Sequence, residues 1–217
     1  TLMLIPTHTN PQDQPWEKNN RCTYRSMIQE TIVTTLSSQA EAHLAPMGIQ
    51  LKGEALLMMP FKPSRTLENI LATGVAVVNY SDDVRVFAGA LTGHHEWPLI
   101  PAQTIECRRL SQALSHLELQ LVRTEENDLR PKLFFKITHA ETHAPFQGFN
   151  RAQFSVIEAS ILVSRLHMLD RNKVIHDLRY LAEGFHKTKG PKEEEAWSWL
   201  MAKVTDTLGA GWEETKS

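Results

Sequence analysis

Apolar positions change their spacing near residue 150. Before that point they alternate or run in short blocks. Residues 26–36, "SMIQETIVTTL", mix β-branched and polar side chains and predict a half-buried strand. Residues 42–51, "AHLAPMGIQL", predict a second strand, interrupted at Pro46-Met47-Gly48, where the glycine signals a bulge or a close backbone approach. "ALLMMPF" at 55–61 predicts a third strand buried on both faces, and "VAVVNYS" at 75–81 a fourth. Between these two a short helix is expected over 65–73, stopped by Gly74. A second short helix is expected over 83–93, and the two prolines of 94–107 make that stretch a loop. "HLELQLVRTEE" (116–126) and "PKLFFKITHAETHA" (131–144) alternate cleanly around Asn127-Asp128 and predict a long antiparallel hairpin.

Beyond residue 150 the period becomes helical. Phe154, Ile157, Ile161, Leu162 and Leu166 recur at helix spacing within 153–169. Asp170 is placed to cap a next helix with a core face of Val174, Leu178, Leu181 and Phe185. Gly190-Pro191 ends that helix and starts another, whose first turn holds Glu193, Glu194 and Glu195 and whose buried stripe is Trp197, Leu200, Met201, Val204 and Leu208. Strands first and helices after is an α+β signature. The expected organisation is an irregular arm (1–25), a β-rich domain (26–148) and a helical C-terminal extension (149–217).

Composition narrows the class. Hydrophobic content of 41%, charged content of 22% and a net charge of −2 describe an ordinary globular chain with no global field to recruit nucleic acid or an anionic membrane. Two cysteines, Cys22 and Cys107, stand far apart and outside any CxxC pattern, which points to a reducing, cytoplasmic setting without a disulfide framework. The first residues lack the basic start and apolar middle of a signal peptide. No apolar run approaches the ~20 residues that span a bilayer.

The chemistry gathers at "PSRTLENILATG" (63–74), where a strand hands over to a helix. Ser64 or Thr66 suits a helix cap. Arg65 between them is not explained by a cap. Free N–H groups, the positive end of the helix dipole, two hydroxyls and a guanidinium together also make a seat for a phosphate monoester. Both readings stand on these residues alone. Neither GxGxxG nor GxxxxGK[ST] occurs, so dinucleotide-turn and P-loop readings fail.

Three ordered motifs, "TIVTTL" with "APMGI", "PFKPSRTLENILATGVAVVNYSDDVRVFAGALTG" and "PFQGFNRAQFSVIEASILVSRLHML", resemble the archaeal and methylotroph family called domain of unknown function four-four-seven, over about residues 26–205. That family is similar to the flavin reductases. The resemblance implies an FMN-binding split β-barrel with a helical C-terminal extension, and a homodimer with FMN near the subunit interface. It implies that Ser64, Arg65 and Thr66 meet the FMN phosphate, with Asn69 near the ribityl chain or phosphate. It implies that the backbone of Pro46, Met47, Gly48 and Ile49 passes the isoalloxazine ring, whose polar edge needs backbone donors and acceptors. Asn79 is a weaker candidate at the end of the fourth strand. Asn150 and Arg151 open the first tail helix, and Arg151 is expected to reach the phosphate or the FMN of a neighbouring subunit.

Other residues carry weaker signals. Ten histidines invite a metal, but HExxH is absent, His94-His95-Glu96 falls in a loop, and His139 and His143 lie on a strand and its exit, where a spacing of four need not converge. No metal site is expected. Ser81-Asp82-Asp83 fits a helix start. Trp197 and Trp199 fit packing. Arg108-Arg109 would lower the pKa of Cys107 if they faced it. The function expected is flavin-mediated redox, a hydride passing from a reduced donor to an organic acceptor. The alternatives are a flavin carrier without turnover and a pterin-related ligand of one-carbon metabolism in the same pocket.

Overall fold

The computed structural model describes residues 27–53 and 55–212, so the expected arm and Cys22 lie outside the described residues. Eight strands and five helices follow one another: β1 (Gln29–Leu36), β2 (Ala42–Lys52), β3 (Ala55–Met58), α1 (Arg65–Thr73), β4 (Val75–Tyr80), α2 (Arg85–Thr92), β5 (Leu99–Pro101), β6 (Arg108–Leu110), β7 (Ser115–Glu125), β8 (Lys132–Thr142), α3 (Arg151–Val163), α4 (Arg171–Thr188) and α5 (Pro191–Leu208). Six of the strands close into an antiparallel barrel in the order β1-β2-β3-β8-β7-β4, and β5 and β6 form a separate ribbon. The α+β expectation and the six main strands are met.

Alternation sets the barrel wall. Val33, Ile49, Leu56, Met58, Val78, Leu119, Leu133 and Phe135 fill the interior, and α1 adds Leu67 and Ile70 to the same cluster. The outer face of β1 is also covered: Ile32 packs with Val86, Phe87, Leu110 and Ala113 from α2, β6 and the following turn. Thr31 to Thr35 are therefore all buried, where the sequence predicts a half-buried strand. The reason is the cover that α2 and the β5–β6 ribbon provide; β5 falls within 94–107, expected to be a loop, and β6 follows it. The ribbon's strands are three residues long and one ends in Pro101, so they carry no periodic signal.

β2 runs unbroken from Ala42 to Lys52, with continuous register against β1 from Leu36↔Ala42 to Gln29↔Ile49. The expected interruption is absent. Pro46 is tolerated because β3 pairs with β2 only from Ile49 onward, so Pro46 lies where β2 has one strand neighbour. At Gly48 a Cβ would sit 2.7 Å from Cγ2 of Ile28, so a side chain there would require the exposed Ile28 to shift.

The tail packs on the barrel through α2. Val84 and Ala88 join Ala152, Val156, Ala159, Val174, Leu178, Phe185, Leu200 and Val204 in one cluster. The buried face of α3 has only small and medium side chains, Ala152, Ser155, Val156, Ala159, Ser160 and Val163, while Phe154 is 54% exposed. Small residues let α3 and α4 approach closely, and Ser155 Oγ donates to Leu181 O at 2.9 Å. α3 also ends at Val163 rather than 169, and turns lead on to Asp170, whose carboxylate accepts from Lys173 N at 3.0 Å as expected of a cap. No helix of the described residues is long and apolar enough to cross a membrane.

Candidate functional site

α1 begins where the sequence predicts. Ser64 is its N-cap, in extended conformation, and its hydroxyl accepts from Leu67 N at 3.3 Å. Gly74 ends the helix in the left-handed region (φ 72°), with its N–H donating to Ile70 O. Ser64 O accepts from Glu68 N. The N–H groups of Arg65 and Thr66, at the very start of the helix, are left without an intrahelical partner.

The side chains divide by depth. Arg65 is exposed and its guanidinium meets Glu41 at 3.3 Å, with more than half of each side chain in solvent. Such a pair contributes at most about 1 kcal/mol and yields readily to a better anion. His43, at the start of β2, lies beside it. Burial, then the charges of Arg65 and His95, hold its imidazole below the ordinary 6.5, so it is neutral at pH 7. Thr66 is 2% exposed. Asn69 is buried and donates to Thr35 Oγ1 at 3.0 Å, which pins α1 to β1. The structure thus brings Ser64, Arg65, Thr66 and Asn69 together on one helix and its cap, with His43 close to Arg65.

Pro46, Met47 and Gly48 lie on the part of β2 that has no strand on its second edge, and Ile49 is the first residue paired on both sides. Backbone groups along that edge are not engaged in a ladder. Thr31 Oγ1 donates to Met47 O at 2.9 Å from the β1 side. α1 packs against both β1 and β2.

Two other candidates are used internally. Asn79 is fully buried: its amide nitrogen donates to Ile32 O and Thr34 Oγ1, and its oxygen accepts from Leu110 N at 2.8 Å, locking the β5–β6 ribbon to the barrel. Asn150 caps α3, accepting from Ala152 N and Gln153 N and donating to Thr188 O at 3.1 Å. Arg151 is exposed on the tail and lines a cleft of about 190 Å³ with Phe154, Tyr180 and Lys187. A larger cleft of about 560 Å³ lies between the loop after α2 and α5. Neither is lined by α1 or β2.

The weaker sequence signals also resolve. Cys107 is buried, and burial pushes its thiol up to about 11, outweighing Arg108, so the basic pair does not activate it; it is an inert thiol that donates to Thr34 O. His94 stacks on Trp199 at 3.9 Å, and Trp197 stacks on Phe185 at 4.5 Å, so both tryptophans pack against protein rings. Asp83 sits before α2 with its carboxylate on Arg85 and Lys192. Burial alone would raise its pKa, but the Arg85 hydrogen bonds and the Lys192 charge hold it below 3.8.

One cluster has no counterpart in the sequence reading. On the outer face of the β7–β8 hairpin, His116 and Glu118 are fully buried beneath Gln103 and Thr104 of the loop between β5 and β6. Glu118 accepts from Gln103 N, Thr104 N, Thr104 Oγ1 and His116 Nε2. Burial opposes its charge, but these donors prevail and bring its carboxyl down to about 2. His139 and His143 do converge, both toward His116, with ring centroids 5.6 and 5.1 Å from it. The available signal was the hairpin register, which pairs His116 with Glu141 and Glu118 with His139.

Residues 29–144 match the family described as Protein of unknown function (DUF447) N-terminal domain, and residues 150–202 match Protein of unknown function (DUF447). An FMN-bound DUF447 protein from Methanosarcina mazei superposes with a TM-score of 0.71 at 21% identity, over 83% of this chain and 96% of that one. That likeness establishes the fold. 2-Nitrobenzoate 2-nitroreductase from Pseudomonas fluorescens overlaps less well (TM-score 0.47, 20% identity, 66% of this chain and 77% of that one). So does flavoredoxin from Desulfovibrio vulgaris (Miyazaki F), at TM-score 0.45 and 12% identity over 58% of this chain and 75% of that one.

Proposed function

The chain belongs to the DUF447 family, and we propose that it is an FMN-binding flavoprotein. The observation that carries the reading is the start of α1, where Arg65 has only an exposed carboxylate for a partner and two backbone N–H groups lack an intrahelical one. These are the donors a phosphate monoester needs. The FMN-bound state of the Methanosarcina mazei relative supports the same choice of ligand.

In this reading Ser64, Arg65 and Thr66 hold the phosphate, and Asn69 fixes the helix that presents them. Pro46, Met47 and Gly48 offer their open strand edge to the polar rim of the ring, and Ile49 anchors the end of that edge between β1 and β3. Asn79 supports that wall from behind. Asn150 sets the start of α3, and Arg151 reaches the FMN of a second copy. A homodimer is supported by the apolar surface around Arg151: Phe154 and Tyr180 are exposed beside it, and Phe149 is wholly exposed against Phe146. FMN, when bound, supplies hydride chemistry; the chain supplies binding, orientation and shielding from water.

We assign the activity to transfer of a hydride from a reduced donor to an organic acceptor, in a cytoplasmic setting. A flavin carrier would use the same binding groups. Oxidation of NAD(P)H in the presence of a candidate acceptor separates the two. Binding itself is tested by titrating FMN into the full chain and following flavin fluorescence. Arg65→Ala is expected to weaken binding by about 1.5–3 kcal/mol, the contribution of a charge-assisted hydrogen bond, with no change in folding. Equal affinity in the variant would remove the phosphate from this seat.

A further inference from the structure

The histidine cluster on the β7–β8 hairpin takes no part in the flavin reading and carries its own chemistry. We propose that His116, His139 and Glu141 form a binding site for a divalent transition metal of the zinc class, with Glu118 as the carboxylate that orients His116. One nitrogen from each imidazole and one oxygen of Glu141 lie within 4.8 Å of one another. A zinc ion with bonds of about 2.0–2.2 Å needs its ligand atoms roughly 3.4 Å apart, so side-chain movement of about an ångström closes the site.

Three independent features converge on a cation. First, His139 Nε2 is buried without a hydrogen-bond partner, the sole such side-chain atom among the described residues. The Glu141 carboxylate is 3.7 Å from it, beyond hydrogen-bond reach. A buried nitrogen left in this way is costly, and a metal gives its lone pair a partner. Second, the Glu118 carboxylate is fastened by Gln103 N, Thr104 N and Thr104 Oγ1 at 2.6–2.7 Å, and so it accepts from His116 Nε2 at 3.2 Å. That fixes the His116 tautomer and leaves its lone pair on Nδ1. A carboxylate holding the far nitrogen of an imidazole is the usual support of a metal-binding histidine. Third, His143 Nε2 stands 3.0 Å from that same Nδ1. Its N–H donates to that lone pair when no metal is bound, which shows the pair is accessible to an electrophile, and a metal would take the place of that bond.

The donor set decides the class. Two imidazoles and one carboxylate suit zinc, and related ions such as cobalt, over calcium or magnesium, which prefer all-oxygen shells. The frame is rigid, because the ligands come from opposed positions of two paired strands. The site is also independent of the flavin reading, since none of its residues belongs to α1 or β2.

The test uses the full chain, treated with a chelator and titrated with Co²⁺. One equivalent is expected to bind with visible absorption bands, and Zn²⁺ is expected to displace it. His139→Ala removes a nitrogen that makes no hydrogen bond, so the fold survives while Co²⁺ affinity falls at least tenfold. Glu141→Gln, close in shape, is expected to show the same loss. His176→Ala, an exposed histidine on α4, is expected to change nothing. A parent chain with no saturable band, a His139→Ala chain that binds as the parent does, or an equal loss in His176→Ala would each overturn the site.

Discussion

Two helix starts in this molecule look alike in sequence and differ in what they leave free. At α3, Asn150 accepts from two N–H groups of the first turn and donates to Thr188 O on α4. Thr188 Oγ1 accepts from Ala152 N as well. That helix start is occupied by its own tail. At α1, Ser64 satisfies one N–H through its hydroxyl, and Arg65 leans on an exposed Glu41. An asparagine cap that bridges to a neighbouring helix is a structural joint. A serine cap followed by an arginine with a solvent-side partner leaves donors free, and in the proposed function an anion takes them. The start of α2 is a third case, in which Asp83 is the anion, supplied by the chain itself.

The comparison makes graded predictions. The largest effect is expected at the chain's own anion. Asp83→Ala should cost about 3 kcal/mol in chemical denaturation, because it leaves Arg85 and Lys192 without the buried carboxylate they share. A neutral outcome would show that the α2 joint is held by packing alone. Asp83 also sets a pH dependence. Its folded pKa lies below the ordinary 3.8, so its contribution is complete above about that value and is lost as pH falls through the lower folded pKa. Acid titration of stability should show that limb, and Asp83→Asn should flatten it.

Next comes the proposed seat itself. Arg65→Ala is expected to weaken FMN by about 1.5–3 kcal/mol while leaving the melting temperature unchanged, since the Glu41 pair is exposed. Asn150→Ala should do the reverse in one chain, lowering stability by about 1–2 kcal/mol through the lost cap and the lost bond to Thr188. The smallest effect is Ser64→Ala, about 1 kcal/mol in thermal unfolding. If Asn150→Ala and Arg65→Ala proved interchangeable in both assays, the distinction between joint and seat would fail.

Local rules made most of the fold legible. β-branched blocks marked β1 and β4, alternation marked β7 and β8, and Gly74, Asp170 and Gly190-Pro191 marked helix ends through backbone chemistry that acts within a few residues. What escaped depends on distant partners. The β5–β6 ribbon is too short to show a period, and it is Asn79, 31 residues from Leu110, that holds it in place. The buried face of α3 is built from alanine, serine and valine, because it lies close against α4 rather than over a space to be filled. The α1 site was readable as a motif, since Ser64, Arg65 and Thr66 are contiguous. The histidine cluster was not, because His116 meets His139 and Glu141 only through the hairpin register.

The central claim is that the start of α1 holds the phosphate of FMN. It is tested most directly by incubating the purified chain with excess FMN or with riboflavin, which lacks the phosphate, then desalting and recording the absorbance spectrum. Flavin bands are expected to stay with the protein after FMN and to be lost after riboflavin. A chain that remains colourless with FMN, or that retains both flavins equally, would contradict the claim.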